Sequence, residues 1–502
     1  MNCCIPVFGS NIMITALYID IEEEPEEVKQ RTIYSCWNNL PDILLEEIFS
    51  YLTIRERYYA SLVCKSWNNA FKFQRVWSTF ILQDTTLTRG KFNYYSGWEY
   101  ILDHMRTSMC LNKVGRHFRN LIFDPMLNFY NLFEFMNMIS WYAEKQGSDN
   151  TSVAGVGTLI RRLKFTFPCN MANRDDPEGV RVFGTGGKLL EALRRLMANL
   201  ANLRCLELID LMLDNREAIY LLDDVCAVCT ETLSKLVLIN TSRYRCPLIH
   251  VGMFLNLKIL VISPQNLHED VIELIGYTKL KHLHIVQNRY SPVDSTIQLP
   301  KSNSWLKMKL NNPHLRVHFE IESSKPIDLV LPIDVLSEHS AIPCHSIVLD
   351  NPNTKHSAFT LASHGAFFDS TIKVYAFKGL SRYYQHKNFA KRLDEALVRF
   401  CKSCPKLHTL MIRDKISTAT ILEIAATTKN LRYLFVRRNV ILKRCDKGLS
   451  TMNDWPAEHY HWIKMNSRSY EDTEREVSKI FGYRWHMLSE KEFKNQRIDL
   501  YT

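Results

Sequence analysis

The 502-residue chain contains no uninterrupted apolar run of about 18 residues, so no membrane-spanning helix is expected. A basic leader is lacking too. The N-terminal stretch MNCCIPVFGSNIMITALYIDIEEEPEEV has no basic n-region, and Pro6, Gly9, Ser10 and Asn11 break its apolar part. An acidic run follows at Glu22 to Glu27. Residues 1–36 therefore read as a partly disordered tail rather than a signal peptide or membrane anchor. Without a secretory leader, the 14 cysteines are expected as reduced thiols of a cytoplasmic or nuclear protein.

Signatures of bond-making chemistry are equally scarce. There is no His-Glu-x-x-His, no Gly-x-Ser-x-Gly and no paired Cys/His nucleophile. Two Cys-x-x-Cys pairs occur, Cys226/Cys229 and Cys401/Cys404. They lie far apart without companions, and zinc needs four ligands, so buried structural cysteines are the expectation. The stretch VFGTGGK (Val182 to Lys188) fails as a phosphate loop. Val182 stands where the first Gly should be, and Leu189 replaces the Ser or Thr that would bind Mg²⁺. His282 and His284 share one strand face but supply only two ligands. No catalytic residue, metal or cofactor is expected.

The bulk composition is that of an ordinary globular protein, 46% hydrophobic and 23% charged. A net charge of +10 permits acidic partners without demanding them. The basic run Lys429 to Arg444 interleaves Tyr433 and Phe435, which admits stacking on single-stranded bases. A solvated face is the commoner role of such runs, so nucleic acid is the less favoured partner.

What is present begins at Leu40. The stretch LPDILLEEIFSYLTIRERYYASLVCKSWNNA, Leu40 to Ala70, is helical in pattern. Pro41 suits a first helical position, where its missing N–H costs nothing. Leu44, Ile48 and Leu52 recur every four residues, and Leu45 and Phe49 widen that stripe. Tyr59, Leu62, Val63 and Trp67 form a second apolar set, with Arg55, Glu56 and Arg57 as a polar elbow between them. A unit this small buries too little surface to hold itself together. Its stripes predict a neighbour.

This stretch resembles an F-box. Leu40-Pro41, Tyr51-Leu52 and Ala60-Ser61-Leu62-Val63-Cys64-Lys65-Ser66-Trp67 match that motif in order, with Trp77 as its closing tryptophan. Thr53 stands where Pro is commoner, and Tyr58 where Leu is commoner. The resemblance implies helices that pack against the adaptor Skp1, which links them to a cullin and a RING protein. Carried over by position, it assigns the Skp1-binding surface to Leu40, Pro41, Ile48, Leu52, Leu62, Val63, Cys64 and Trp67. Such an interface would be apolar, aromatic-anchored and poor in charge at its centre.

Beyond this point the chain repeats itself. The pattern L-x-x-L-x-L recurs as NLRCLEL (Leu203, Leu206, Leu208), TLSKLVL (Leu233, Leu236, Leu238) and NLKILVI (Leu257, Leu260, Ile262). It returns as KLKHLHI (Leu280, Leu283, Ile285), KLHTLMI (Leu407, Leu410, Ile412) and NLRYLFV (Leu431, Leu434, Val436). HFRNLIF, LIRRLKF and TIKVYAF are looser copies, and Leu315, Val317, Phe319 and the SIVL near Ile347 suggest two more strands. The last two apolar positions differ by two, so both lie on one strand face. Helical patterns such as Gly187 to Leu200 and Leu393 to Cys404 fall between copies. Strand, helix, strand at a period of about 23 to 43 residues describes a stacked solenoid.

The series resembles a degenerate leucine-rich repeat. The usual Asn or Cys three residues past the last apolar position is present only as Asn288 and Asn439, with Leu211, Thr241, Gln265 and Lys415 elsewhere. An incomplete side-chain ladder and an irregular arc are expected, with insertions at 147–157, 168–187, 288–304 and 350–370. Asp454-Trp455-Pro456 marks a break. Ser469 with Asp472 and Ser489 with Glu492 resemble capping boxes. Trp455, Trp462, Ile480, Phe481 and Trp485 are expected over the open end of the solenoid.

The expected fold class is α/β. A short all-helical F-box over 37–80 is followed by an irregular leucine-rich-repeat solenoid over 81–450, with a parallel sheet on its concave face, and a helical C-terminal cap over 451–502. This order is similar to the animal F-box-only group that includes F-box only protein 33. The resemblance implies a non-catalytic substrate receptor of an SCF (Skp1-cullin-F-box) ubiquitin ligase, promoting ubiquitination and degradation of a protein substrate. Residues alternating with the core leucines face the concave side. Substrate is expected toward the C-terminal end of that face, on Met411, Arg413, Tyr433, Phe435 and Arg437, with His282 and His284 further along. Aromatic and Arg enrichment is typical of binding hot spots. A scaffold without ubiquitin transfer and an RNA-binding repeat protein are the alternatives.

Overall fold

The computed structural model describes residues 36–94, 97–126, 128–148, 155–168, 185–291, 299–322, 341–353, 356–445 and 456–501. Residues 1–35 of the tail expected over 1–36, and Trp455, lie outside the described residues.

Three short helices come first: α1 (Asp42–Tyr51), α2 (Ile54–Ser61) and α3 (Lys65–Ala70). Thr53 opens α2 as a full capping box. Its hydroxyl accepts from the Glu56 N–H at 3.3 Å, and the Glu56 carboxylate accepts from the Thr53 N–H at 2.8 Å. The commoner Pro has no N–H to give, so threonine starts this helix with one more satisfied donor.

Twelve strands then form one parallel sheet in chain order. They are β1 (Thr79–Leu82), β4 (Asn120–Phe123), β5 (Arg162–Thr166), β6 (Cys205–Ile209), β7 (Lys235–Ile239) and β8 (Ile259–Ile262). After them come β9 (His282–Gln287), β10 (Arg316–Glu322), β11 (Cys344–Asp350), β12 (Val374–Phe377), β13 (Thr409–Ile412) and β14 (Tyr433–Val436). A separate antiparallel hairpin, β2 (Thr88–Asn93) and β3 (Gly97–Leu102), lies between the first two.

The repeat sets the register. Leu163, Leu206, Leu236, Leu260, Leu283 and Val317 are successive Cα partners across six strands, and all are buried. Each repeat adds one strand beside the last, as stacked repeats must to bury a continuous core. Helices cover the buried face. Lys188–Ala198, for example, buries Leu190, Leu193, Leu196 and Met197.

β1 does not follow from the repeat pattern. Its Phe80 stacks on Phe118 at 4.6 Å and on Phe135 at 5.3 Å between ring centres. The sheet thus starts at Thr79, immediately after the three helices, and they are built onto its first strand.

The side-chain ladder is displaced rather than missing. Asn439 is exposed and forms no rung. The polar spine instead centres on Asn240, two residues past its strand's last apolar position. Asn240 Nδ2 donates to Asp210 Oδ1 at 2.8 Å and Asn288 Oδ1 at 2.6 Å. Its Oδ1 accepts from Gln265 at 3.1 Å and Ser291 at 2.7 Å. Asp210 and Asn240 sit at φ of 60° and 47°, the left-handed region that Asp and Asn tolerate best among non-glycine residues.

Past β14 the chain turns helical over Ala457–Asn466 and Tyr470–Phe481. Ser489 and Glu492 form the expected capping box. At Ser469 only half of one forms. Its hydroxyl caps the Asp472 N–H, but the Asp472 carboxylate bonds that hydroxyl instead of the cap amide, because Asp is one methylene shorter than Glu. Trp485 covers the sheet end, donating from Nε1 to the Leu434 carbonyl at 2.7 Å. Ile480 is exposed and takes no part in that cover.

Candidate adaptor and substrate surfaces

The three N-terminal helices have two unlike sides. One is sealed into the body. Leu45 and Phe49 are fully buried, and Trp77 lies against Phe71 with ring centres 5.1 Å apart. Arg57 sits between them rather than in a solvated elbow. Its Nε donates to the Phe49 carbonyl at 2.9 Å and its Nη2 to the Ser50 carbonyl at 3.3 Å. These belong to the last turn of α1, where carbonyls lack helical partners and a cation is favoured.

The other side is left uncovered. Leu62 and Val63 are 63% and 61% exposed, and Pro41 is exposed. Leu40, Ile48, Leu52, Cys64 and Trp67 are half-buried. Trp67 is held by a bond from Nε1 to the Trp37 carbonyl at 3.0 Å and an edge contact with Phe49. None of the eight residues expected to meet an adaptor is fully buried. Trp37, Ile43, Tyr51, Tyr58 and Tyr59 extend the same exposed apolar character.

The open face of the sheet corrects the expected substrate site. The chain's own C-terminal segment occupies its C-terminal half. Leu488 bridges to Arg437 beyond β14, and Phe493 packs with Ala376, Met411 and Leu488 in a buried cluster edged by Val348, Phe435 and Ile498. Met411 is therefore buried, not presented, and Phe435 is half-buried. Arg413 is buried as well, donating from Nη1 to the Asn351 carbonyl at 2.6 Å and the Lys378 carbonyl at 3.0 Å. Arg437 is buried and donates from Nη2 to the Arg413 carbonyl at 3.1 Å. Both guanidiniums tie down loops at strand ends, where carbonyls lack sheet partners. Only Tyr433 of these five is exposed.

Further along, His284 is buried and His282 half-buried. They join His318 and His345 from the next two strands, which sequence reasoning did not bring to the site. His282 Nδ1 lies 3.0 Å from His318 Nε2, His318 Nδ1 lies 2.7 Å from Ser346 Oγ, and His284 Nδ1 lies 2.6 Å from a Glu320 carboxylate oxygen. Tyr501 stands edge-on to His282 at 4.8 Å. Burial holds His282 and His345 down to about 4 and His318 to about 2, so these rings are neutral at physiological pH. The His284 and His318 rings are stacked at 4.4 Å, which points their nitrogens along parallel planes instead of at one ion. Among the described residues no group of three or more His, Cys, Asp or Glu could hold a metal.

Cys229, Cys401 and Cys404 are buried and Cys226 half-buried. Burial pushes the Cys226 and Cys404 thiols up to about 11 and raises Cys401 further, which suppresses the thiolate needed for reactivity. Of the VFGTGGK stretch, residues 182–184 lie outside the described residues. The Gly187 N–H donates to the Glu217 carboxylate at 3.0 Å, so a carboxylate of the chain already occupies the helix start. The basic run Lys429 to Arg444 is not one continuous face: Arg437 is buried, while Arg438 pairs with Glu471 at 3.0 Å.

No helix among the described residues is long and apolar enough to cross a membrane. The model of the F-box domain family matches residues 37–79. Two solved structures are similar to the chain. One is the crystal structure of the Rad7 and Elc1 complex in yeast, at 11% identity over 82% of this chain and 92% of that one, with a TM-score of 0.37. The other is an internalin (inlF) from Listeria monocytogenes, at 13% identity over 70% of this chain and 75% of that one, with a TM-score of 0.28. The chain carries an F-box domain, residues 37–79, at the head of a twelve-stranded parallel repeat sheet.

Proposed function

We propose that this chain is the substrate-recognition subunit of an SCF ubiquitin ligase, binding Skp1 through the F-box and a protein substrate through the repeats. The observation that carries this reading is the uncovered apolar side of an F-box domain, with Leu62 and Val63 both more than half exposed. A contiguous patch of this kind marks an interaction site. The eight residues from Leu40 to Trp67 would form the adaptor contact, and a cullin and RING protein would join through Skp1. The receptor contributes proximity and orientation, and ubiquitin transfer falls to other subunits, so no residue here is assigned a catalytic role. Similarity to the group that includes F-box only protein 33 stands as part of the same proposal, as do a cytoplasmic or nuclear location and the division at residues 36, 80 and 450.

The burial of Met411, Arg413 and Arg437 supports placing the substrate surface elsewhere on the open face. With the C-terminal half of the open face filled by residues 488–501, the free half runs from β4 to β8. It presents Arg162, Lys164, Thr166 and Cys205, all half-buried. Co-expression with Skp1 tests the adaptor contact. The wild-type chain should co-purify with it, and Leu62→Asp/Val63→Asp should not. Equal recovery of Skp1 with both would remove the basis of the ligase reading. A reconstituted ubiquitylation assay then separates a receptor from a scaffold.

A further inference from the structure

A row of cations runs along one edge of the sheet, at the third position of repeat copies such as NLRCLEL, NLKILVI and KLKHLHI. Arg119, Arg161, Arg204, Lys258, Lys281 and Arg432 each stand immediately before a strand of the parallel sheet. Backbone bonds set them in line. The N–H groups of Arg161 and Arg162 both donate to the Arg119 carbonyl at 2.8 and 3.0 Å. Those of Arg204 and Cys205 donate to the Arg161 carbonyl at 2.8 and 2.9 Å. Lys281 and His282 repeat the arrangement on Lys258, and Arg432 and Tyr433 on His408. All six side chains are exposed. Among the described residues, none of the six has a carboxylate at ion-pair distance, whereas Arg162 and Lys235, one step inside, share Glu207 at 2.9 and 3.5 Å.

The opposite edge mixes signs: Asp124, Asp210, Asp350 and Asp414 stand at or just past the C-terminal ends of their strands, together with Lys378, Arg413 and Arg437. Neighbouring strands lie about 4.8 Å apart, so the five cations from β4 to β9 span roughly 24 Å, and Arg432 stands apart at β14. That length suits a polymer of negative charge better than a single anionic group.

We propose that this basic edge binds single-stranded nucleic acid along its phosphate backbone. Each repeat of a solenoid is rotated on the one before, so the row is curved. A duplex, stiff over about 150 base pairs, does not follow such a line, and a single strand does. Exposed rings accompany the cations. Tyr433 follows Arg432 directly and is 46% exposed. The Tyr483 hydroxyl donates to the Arg432 carbonyl at 2.8 Å. Tyr501 lies against His282, the neighbour of Lys281. Cations that follow a backbone beside rings that can stack on bases are the two parts of a single-strand site. An acidic polypeptide would use the first part alone. This edge is separate from the F-box, so the inference does not rest on the ligase reading.

The test is fluorescence anisotropy of the full chain with labelled oligo(U) and oligo(dT) of about 25 nucleotides, across a salt series from about 50 mM. Binding should weaken steeply with salt, by about 0.7 in logarithmic slope per phosphate contact. Arg119→Glu/Arg161→Glu/Arg204→Glu should flatten that slope by about 2, and Lys258→Glu/Lys281→Glu by about 1.4. The two sets serve as independent variants should one fail to fold. Tyr433→Ala should weaken binding roughly tenfold at an unchanged slope. Equal binding of the two would leave phosphate and base stacking as the determinants, in support of the proposal. Absence of binding at low salt, or slopes unmoved by either set, overturns the proposal. So does equal competition by polyglutamate with no effect of Tyr433→Ala, which would assign the edge to an acidic polypeptide.

Discussion

The guanidinium of Arg57 lies 5.2 Å from the centre of the Trp77 ring, with its nitrogens bonded to the last carbonyls of α1. Trp77 in turn donates from its indole nitrogen to the Phe71 carbonyl. One cation thus closes a helix end and rests on the tryptophan that joins the F-box to the first strand. Arg57→Ala should lower unfolding stability by about 2 kcal/mol, since it strands the Ser50 carbonyl, leaves the Phe49 carbonyl only the Leu52 N–H, and removes a buried cation–π contact. Arg57→Lys should recover only part of this, because a single ammonium lacks the planar fork. Urea unfolding measures both. Leu62→Asp, on the exposed side, should leave stability within about 0.5 kcal/mol of wild type.

The histidine cluster gives stability a pH dependence with a definite sign. Burial and neighbouring cations hold His282 and His345 down to about 4 and His318 to about 2, against an ordinary value of 6.5. The unfolded chain therefore takes up protons before the folded chain does. Their contribution is intact above pH 6.5 and declines as pH falls toward 4. Arg316, Lys281 and Lys373 face these rings and oppose protonation of His282, His318 and His345, and the Glu320 carboxylate lies 2.6 Å from the neighbouring His284. The urea midpoint should fall between pH 6.5 and 4, and His318→Asn should make that fall shallower. An unchanged profile would show that the cluster does not govern acid stability.

The C-terminal segment is packed, not merely laid down. Phe493 is fully buried against Met411 and Ala376. Phe493→Ala should destabilise the protein by about 3 kcal/mol or more through lost burial and the cavity left behind. Met411 should then become open to sulfoxide formation by dilute peroxide, read as a mass shift on its peptide. If Met411 oxidises no faster in the variant than in the wild type, the segment is not what shields it.

Most of the sheet could be read in advance because its cause is local. A leucine such as Leu206 or Leu236 is buried by the two-residue alternation of its own strand, and the pattern repeats with the strand. What escaped reading depends on partners brought together by the fold. Phe80 is a strand residue because Phe118 and Phe135 stack on it. Met411 and Arg437 were reasonable surface residues until residues some fifty to eighty positions later covered or bridged them. Arg57 looked like solvent-facing charge because the carbonyls it satisfies belong to the preceding helix. At the F-box the motif residues lie on the side that stays uncovered, and Ile43, outside the motif, is exposed as well.

The polar spine allows backbone conformation and side-chain bonding to be separated at one position. Asn240 holds a left-handed φ of 47° and at the same time joins Asp210, Gln265, Asn288 and Ser291. Asn240→Gly keeps the backbone freedom and loses the bonds. Asn240→Ala loses both. A buried network deprived of its centre should lose roughly 2 to 3 kcal/mol, and the left-handed backbone should add about 1 kcal/mol more for Ala. Thermal or urea unfolding of the pair should therefore rank wild type above Gly and Gly above Ala. Equal stability of Gly and Ala would mean that the turn relaxes once the bonds are gone. In that case the network, rather than the residue's own preference, imposes the turn that ends β7.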